Sequence, residues 1–368
     1  MNYIKGFDGL RAMSVLMVVL THLGIREMLP DTPFIKDRLF ELFAGVTGVN
    51  IFFAISGFLI TRILLREKSQ TGKISFKNFY ARRFLRLLPP LLVFYAIILL
   101  MMNFGWLKSS LSSVLLSFFY LYNYYPYSIY NSLIGHTWSL AVEEQFYFIW
   151  PFIVAYVSLK KLLRIIALII AASLCIFYFI TYLAIEYNGV TYTLNSWSWA
   201  HRWFIPAVGP IMIGAGVSVI IFYNLYSFKK WLVVRQTPWI SLILFCCPVY
   251  LPSFLFSAFP LIQAAGVSVF LAWIYHHQQS GITHVLEWKP LSFIGKLSYR
   301  IYVYQGIFLG TGPRGKNLWI QQFPQNVCLT LALALLSFYL LEKPMLRLKR
   351  HFISTQHSEN MATVKVVA

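Results

Sequence analysis

Apolar runs of about 17–22 residues recur along this chain from end to end, separated by short polar loops. A run of about 20 apolar residues is what an α-helix needs to cross the hydrocarbon of a bilayer. Such runs fall at about Leu10–Leu29, Leu42–Leu64, Leu88–Phe104, Leu140–Leu159 and Ile165–Ile185. Five more follow at about Ile205–Tyr226, Trp239–Phe256, Phe259–Tyr275, Leu291–Leu309 and Gln325–Leu341. An extra apolar stretch, Leu111–Tyr122, has only about twelve residues, which is short for a crossing. The pattern predicts an all-α polytopic integral membrane protein. It has about ten transmembrane helices plus one re-entrant or interfacial segment. Residues 1–350 read as one membrane domain and residues 351–368 as a short polar cytoplasmic tail.

Charge fixes the expected orientation. The chain of 368 residues carries a formal net charge of +19. In a soluble protein that would point to nucleic acid. Here only 12% of residues are charged, against about 25% in soluble domains, and the mean hydropathy is +0.65. The basic residues sit in loops, where the positive-inside rule accounts for them, so no nucleic-acid partner is expected. If Leu111–Tyr122 does not cross, 22 of the 31 Lys and Arg face one side and 7 the other. The expected topology is therefore N-in and C-in, with membrane lipid as a partner. The first run has no A-x-A cleavage site and is expected to remain as a span. Cys175, Cys246, Cys247 and Cys328 all fall in apolar runs without ligand spacing, so neither a disulfide framework nor a metal site is indicated.

Polar residues inside the apolar runs carry the candidate chemistry, because an ionisable group in a span is costly to keep. The first run holds Arg11 and His22, eleven residues apart. On a helix they share a face, about 16 Å apart along the axis. His22 suits a general base; a packing role for His22 and an interfacial one for Arg11 also fit. Asp8, three residues before Arg11, can pair with it. The segment Arg66–Pro90 has seven Lys or Arg against one Glu. Within it Arg83 and Arg86 share a helix face beside Arg82, and guanidinium forks suit phosphates. A basic helix lying on an anionic leaflet fits the same residues. Glu143 and Glu144 open another span, near Trp138 and Ser139. They could face His22, or simply favour a helix N-terminus. Trp197, Trp199, His201, Arg202 and Trp203 could stack on sugar or form an aromatic belt. Arg300 lies within a span and needs a carboxylate or water nearby.

These motifs together resemble the acyltransferase-3 family of bacterial membrane acyltransferases. The matching stretches are FDGLRAMSVLMVVLTH, GVNIFFAISGFLIT, FYARRFLRLLPP, TWSLAVEEQFYFIWP, GKLSYRIYVYQ and the terminal LEKP. The resemblance implies a ten-span domain that moves an acyl group, usually acetyl from acetyl-CoA, to a hydroxyl on a surface or exported glycan. The family's Arg-x10-His motif falls on Arg11 and His22, and its Arg-x-x-Arg motif on Arg83 and Arg86. Its WSLxVEEQFY element falls on Trp138 through Tyr147, with Glu143 and Glu144 as the acids. Family members commonly carry a His in the late span where this chain has Gln305.

The resulting expectation is an O-acetyltransferase of the bacterial inner membrane. Acetyl-CoA is co-substrate, no cofactor is bound, and the acceptor is a lipid-linked or nascent surface glycan such as O-antigen. His22, Glu143 and Glu144 are the catalytic candidates. Arg11, Arg83 and Arg86 form the donor cradle, and Trp138, Ser139 and Arg300 line the acceptor cavity. Direct transfer is preferred to an acyl-enzyme, since Ser56 and Ser139 have no clear base beside them in sequence. A small exported acceptor such as a nodulation factor or macrolide is the rival within the class. A glycolipid flippase or proton-coupled transporter is the rival outside it.

Overall fold

The computed structural model describes residues 3–32, 34–107, 110–125, 131–182, 184–187, 190–193, 200–225, 230, 234–252, 255, 258–309 and 318–348. The 351–368 tail, Trp197 and Trp199 lie outside them. The described chain is helical apart from one small antiparallel hairpin, Ala184–Tyr187 with Val190–Thr193. The elements that matter are α1 (Phe7–His22), α2 (Gly45–Thr71), α3 (Phe76–Asn103), α4 (Leu111–Phe118), α5 (Thr137–Tyr156) and α6 (Leu159–Tyr182). They continue with α7 (Phe204–Phe222), α8 (Thr237–Cys246), α9 (Phe259–His276), α10 (Lys289–Leu309) and α11 (Gln325–Ser337).

Several boundaries differ from those the apolar runs predict. The first helix does not continue to Leu29; it ends at His22. Gly24 then takes a left-handed φ of 84°, a conformation that glycine adopts without a Cβ clash and that turns the chain aside. His22 is thus a terminal residue of its helix. The basic segment is not a separate surface helix either. From Phe76 it forms the first turns of α3, a single 28-residue helix that accommodates Pro89 and Pro90. Helix α4 has eight residues, about 12 Å, which is too short to cross.

Among the described residues, six helices are long and apolar enough to cross a bilayer: those containing α2, α3, α6, α7, α9 and α11. Helices α5 and α10 have spanning length but are not among the six. Glu143, Glu144 and Gln145 on the first, and Lys289, Lys296 and Arg300 on the second, dilute their apolar character. Helix α1, at 16 residues, and α8, at 10, are short.

Packing follows from small residues. Helix α2 lies against α7, and α1 is held between α2 and α10. A Cβ at Gly57 would strike the backbone oxygen of Ile211, and one at Gly214 the backbone oxygen of Ala54. The two glycines therefore let α2 and α7 meet backbone to backbone, the contact that apolar lipid cannot supply by itself. Gly295 does the same for α10 against Asp8 of α1. Helices α3 and α5 complete a ring with α1, α2 and α10. Large side chains such as Trp150, Phe53, Phe94 and Phe146 fill the bundle around it.

Candidate active site

The ring encloses a cavity of about 210 Å³. Arg11 reaches it from α1, Ser56 from α2, and Arg82, Arg83 and Arg86 from the first turns of α3. Helix α5 contributes Ser139, Glu143, Glu144 and Tyr147; α10 contributes Ser298, Tyr299 and Tyr302. The spacing explains the convergence. On α5, residues 139, 143 and 147 repeat every four positions and so share one face. The indole Nε1 of Trp150 donates to Thr61 Oγ1 at 2.8 Å, which locks α5 to α2 two turns beyond Glu143. That lock sets Glu143 opposite Ser56.

The acids and bases of the cavity are already ordered. The hydroxyls of Ser56 and Tyr147 both donate to Glu143 Oε1, the second at 2.5 Å. Arg83 Cζ sits over the Tyr147 ring, 3.2 Å from its centroid, and its Nε is buried without a hydrogen bond. Contact with the ring face helps to hold the guanidinium in place. Arg82 is tied to Glu67 at 3.6 Å, and Arg11 to Asp8 at 3.3 Å, the i,i+3 pair expected from sequence. Arg86 lines the cavity from a more exposed position. Four guanidiniums and two carboxylates therefore face one small space, and the balance is positive. Such a space suits a polyanion at its mouth.

His22 is not part of that lining. Its Nδ1 lies 3.1 Å from Oε1 of Gln305, which is fully buried. An amide oxygen accepts, so Nδ1 is the donor in this contact, which in a neutral imidazole leaves the lone pair on Nε2. A buried polar cluster adjoins the cavity wall at Ser139 and Tyr302. Tyr302 and Ser139 share a hydroxyl contact of 2.5 Å, and Tyr302 donates to the backbone oxygen of His136 at 3.1 Å. The buried His136 ring packs edge-on to Tyr302 and lies against Gly306, next to Gln305.

The sequence-derived candidates thus separate into groups. Arg11, Arg83, Arg86, Ser139, Glu143 and Glu144 come together in the cavity. Trp138 stands outside its lining, edge-on to Phe53 at 6.2 Å with Arg202 Cζ 5.3 Å from its ring. Arg300 also stands outside it, in a buried ion pair with Glu342 and over the Phe338 ring at 4.6 Å. The sequence called for a carboxylate or water near Arg300, and the Glu of the terminal LEKP is the partner. Breaking a buried pair leaves one charge stranded. Glu342→Gln is expected to lower the stability of the detergent-solubilised protein by about 3–5 kcal/mol. Arg300→Met with Glu342→Met should recover most of it, as read from thermal melts. Ser56, Tyr147 and Tyr302 are the cavity residues to which the sequence assigned no partners. Hydroxyls on apolar helices carry no pattern of their own, and only the tertiary contacts single them out.

The chain is 28% identical over 373 residues to YrhL of Bacillus subtilis strain 168, covering 93% of this chain and 55% of that protein. It is 28% identical to the peptidoglycan O-acetyltransferase OatA of Listeria monocytogenes EGD-e, over 93% of this chain and 56% of the relative. Against the O-acetyltransferase OatA of Staphylococcus aureus NCTC 8325 the identity is 25%, over 93% and 57%. The chain therefore spans about half the length of the relatives it matches. No solved structure matches it. The profile of the acyltransferase-3 family, described as an acyltransferase domain, matches residues 4–342, nearly the whole chain. A family profile over nearly the whole chain shows that the chain belongs to the acyltransferase-3 family of multi-pass membrane proteins.

Proposed function

We propose that the protein is an O-acetyltransferase of the bacterial inner membrane that moves acetyl from cytoplasmic acetyl-CoA to a sugar hydroxyl of a surface polysaccharide. The observation that carries the reading is the joint lining of one cavity by Arg11, Arg83, Arg86, Glu143 and Glu144. In this reading the end of the bundle bearing those arginines faces the cytoplasm, where the phosphates of CoA meet the guanidiniums. The thioester enters between α2, α5 and α10. His22 accepts the proton of the acceptor hydroxyl as that oxygen attacks the acetyl carbon. The C–S bond breaks and the CoA thiolate leaves. Tyr302, Ser139 and His136 form the polar cluster that the acetyl group and the acceptor approach from opposite sides.

One observation favours a second route. Glu143 supplies Ser56 with the base that sequence alone did not reveal. In that route Ser56 Oγ attacks the thioester carbon while Glu143 takes its proton, and the C–S bond breaks with loss of CoA thiolate; the acceptor hydroxyl then attacks the acetyl-Ser56 carbon, loses its proton to the site, and the released Ser56 oxygen recovers the proton from Glu143. For the acceptor, O-antigen sugar is the first choice. The relatives named as peptidoglycan O-acetyltransferases make peptidoglycan the second.

Mass spectrometry of both glycans, from cells carrying the gene or an empty vector, tests the reading. A gain of one acetyl group in either glycan is the expected outcome. No gain in either, with the protein present in the membrane, would sink the O-acetyltransferase reading. Acetyl retained on the Ser56 peptide when the acceptor is withheld selects the covalent route, and its absence selects direct transfer.

Gln305 gives a further expectation. Gln305→Leu removes the acceptor that holds the His22 tautomer. A lost buried hydrogen bond costs about 1–3 kcal/mol, so the transfer rate should fall about 5- to 100-fold. Gln305→His, which restores the residue common in the family, should keep most of the rate. Equal rates for wild type and Gln305→Leu would remove Gln305 from the mechanism.

A further inference from the structure

Two arginines lie within long helices of the bundle, Arg62 on α2 and Arg300 on α10, at positions the acetyl-transfer reading does not use, and the bundle treats them differently. Arg300 is neutralised by Glu342. Arg62 on α2 has no carboxylate partner among the described residues. Its guanidinium lies between two rings, 4.5 Å from the Tyr275 centroid and 5.2 Å from that of Phe222. Its Nη2 donates to the Tyr275 hydroxyl at 2.5 Å, and its Nη1 is buried with no hydrogen bond. A half-buried guanidinium held this way has its plane fixed and one donor edge unused.

Arg62 lines a second cavity of about 460 Å³, separate from the first and walled by the ends of α2, α7 and α9 and by the N-terminal segment. Arg66, one turn beyond Arg62 on the same face of α2, also lines it. No acidic side chain is in the lining. The acids of the adjoining segment are engaged elsewhere. Asp8 takes Arg11 and the Tyr3 hydroxyl, and Glu287 takes the Tyr3 hydroxyl and the Gly6 N–H at 2.6 Å. The wall itself is fixed: Gln278 Oε1 accepts from the Lys5 N–H at 2.9 Å, and Gln278 Nε2 donates to Ile274 O at 2.7 Å.

We propose that this second cavity is a binding site for a phosphate group, held by the guanidiniums of Arg62 and Arg66 between the aromatic walls of Phe222 and Tyr275. Two guanidiniums one turn apart on one cavity wall, neither with a carboxylate across the space, match the accepting oxygens of a phosphate. The phosphate comes either from the headgroup of an anionic phospholipid or from a soluble phosphate compound. The site does not depend on the acetyl-transfer reading, since it shares no lining residue with the donor cavity.

The test uses the full chain in nanodiscs of phosphatidylcholine, of phosphatidylcholine with phosphatidylglycerol, and of phosphatidylcholine with added inorganic phosphate. Native mass spectrometry reads retained phosphatidylglycerol, and thermal melts read stabilisation by either probe. Charge-assisted hydrogen bonds are worth enough that Arg62→Gln or Arg66→Gln should weaken retention about tenfold or more. Arg66 is exposed, so its variant keeps the test valid should Arg62→Gln fail to fold. Retention of phosphatidylglycerol by wild type, lost in Arg66→Gln, supports the site with a lipid source. Stabilisation by inorganic phosphate in phosphatidylcholine alone, lost in Arg66→Gln, supports it with a soluble source. If neither probe distinguishes wild type from Arg66→Gln, the proposal is overturned.

Discussion

His22→Ala is expected to lower acetyl transfer to the glycan by about 10²- to 10⁴-fold, the range that a positioned general base contributes. The protein should still reach the membrane in normal amount. The substitution removes the partner of Gln305, but His22 closes a helix end rather than filling the bundle core. Donor binding should also survive, because His22 lies outside the lining of the arginine cavity. The expected signature is therefore a fall in kcat with little change in KM for acetyl-CoA. A rise in KM with kcat intact would place His22 on the donor instead. A variant with wild-type transfer at equal abundance would return His22 to a packing role.

The second large effect is expected at Arg83. Arg83→Ala removes a cavity-lining guanidinium that sits over the Tyr147 ring. Hydrogen bonds to charged groups are worth about 1.5–3 kcal/mol each, so KM for acetyl-CoA should rise about 10- to 100-fold. Arg83→Lys should fail nearly as badly. An ammonium keeps the charge but neither stacks flat on the ring nor offers a planar fork. The check is initial rates against donor concentration for the three proteins. A lysine variant indistinguishable from wild type would mean that only charge matters there.

The fold was largely legible because hydrocarbon leaves a chain few choices. Apolar runs of spanning length had to become helices, and α2, α3, α6, α7, α9 and α11 bear this out. The ends were less legible. Gly24 stops α1 at His22 although Leu23, Ile25, Met28 and Leu29 keep the sequence apolar beyond it. A hydropathy pattern registers the composition of a run and not the φ of one glycine. The basic stretch misled in the opposite sense, since Lys77, Arg82, Arg83 and Arg86 look like a surface helix until α3 is seen to carry them onward into the bundle.

The site was legible in part for a related reason. Charges in apolar helices stand out one by one, so Arg11, Arg83, Arg86, Glu143 and Glu144 were all marked before their meeting place was known. What the sequence withheld was pairing. Arg300 and Glu342 are 42 positions apart, and nothing local joins them. Ser56 meets Glu143 across 87 positions because Trp150 and Thr61 fix the helix register. Gln305, set where the family commonly has His, looked like a gap in the machinery. In the structure it is the residue that holds His22.

The most direct test of the account is transfer of labelled acetyl from acetyl-CoA to an isolated glycan by the purified protein in proteoliposomes, with His22→Ala and Arg83→Ala run beside it. The account expects label on the glycan with wild type, almost none with His22→Ala, and recovery at high donor concentration with Arg83→Ala alone. Label transfer that is indifferent to both substitutions would contradict it.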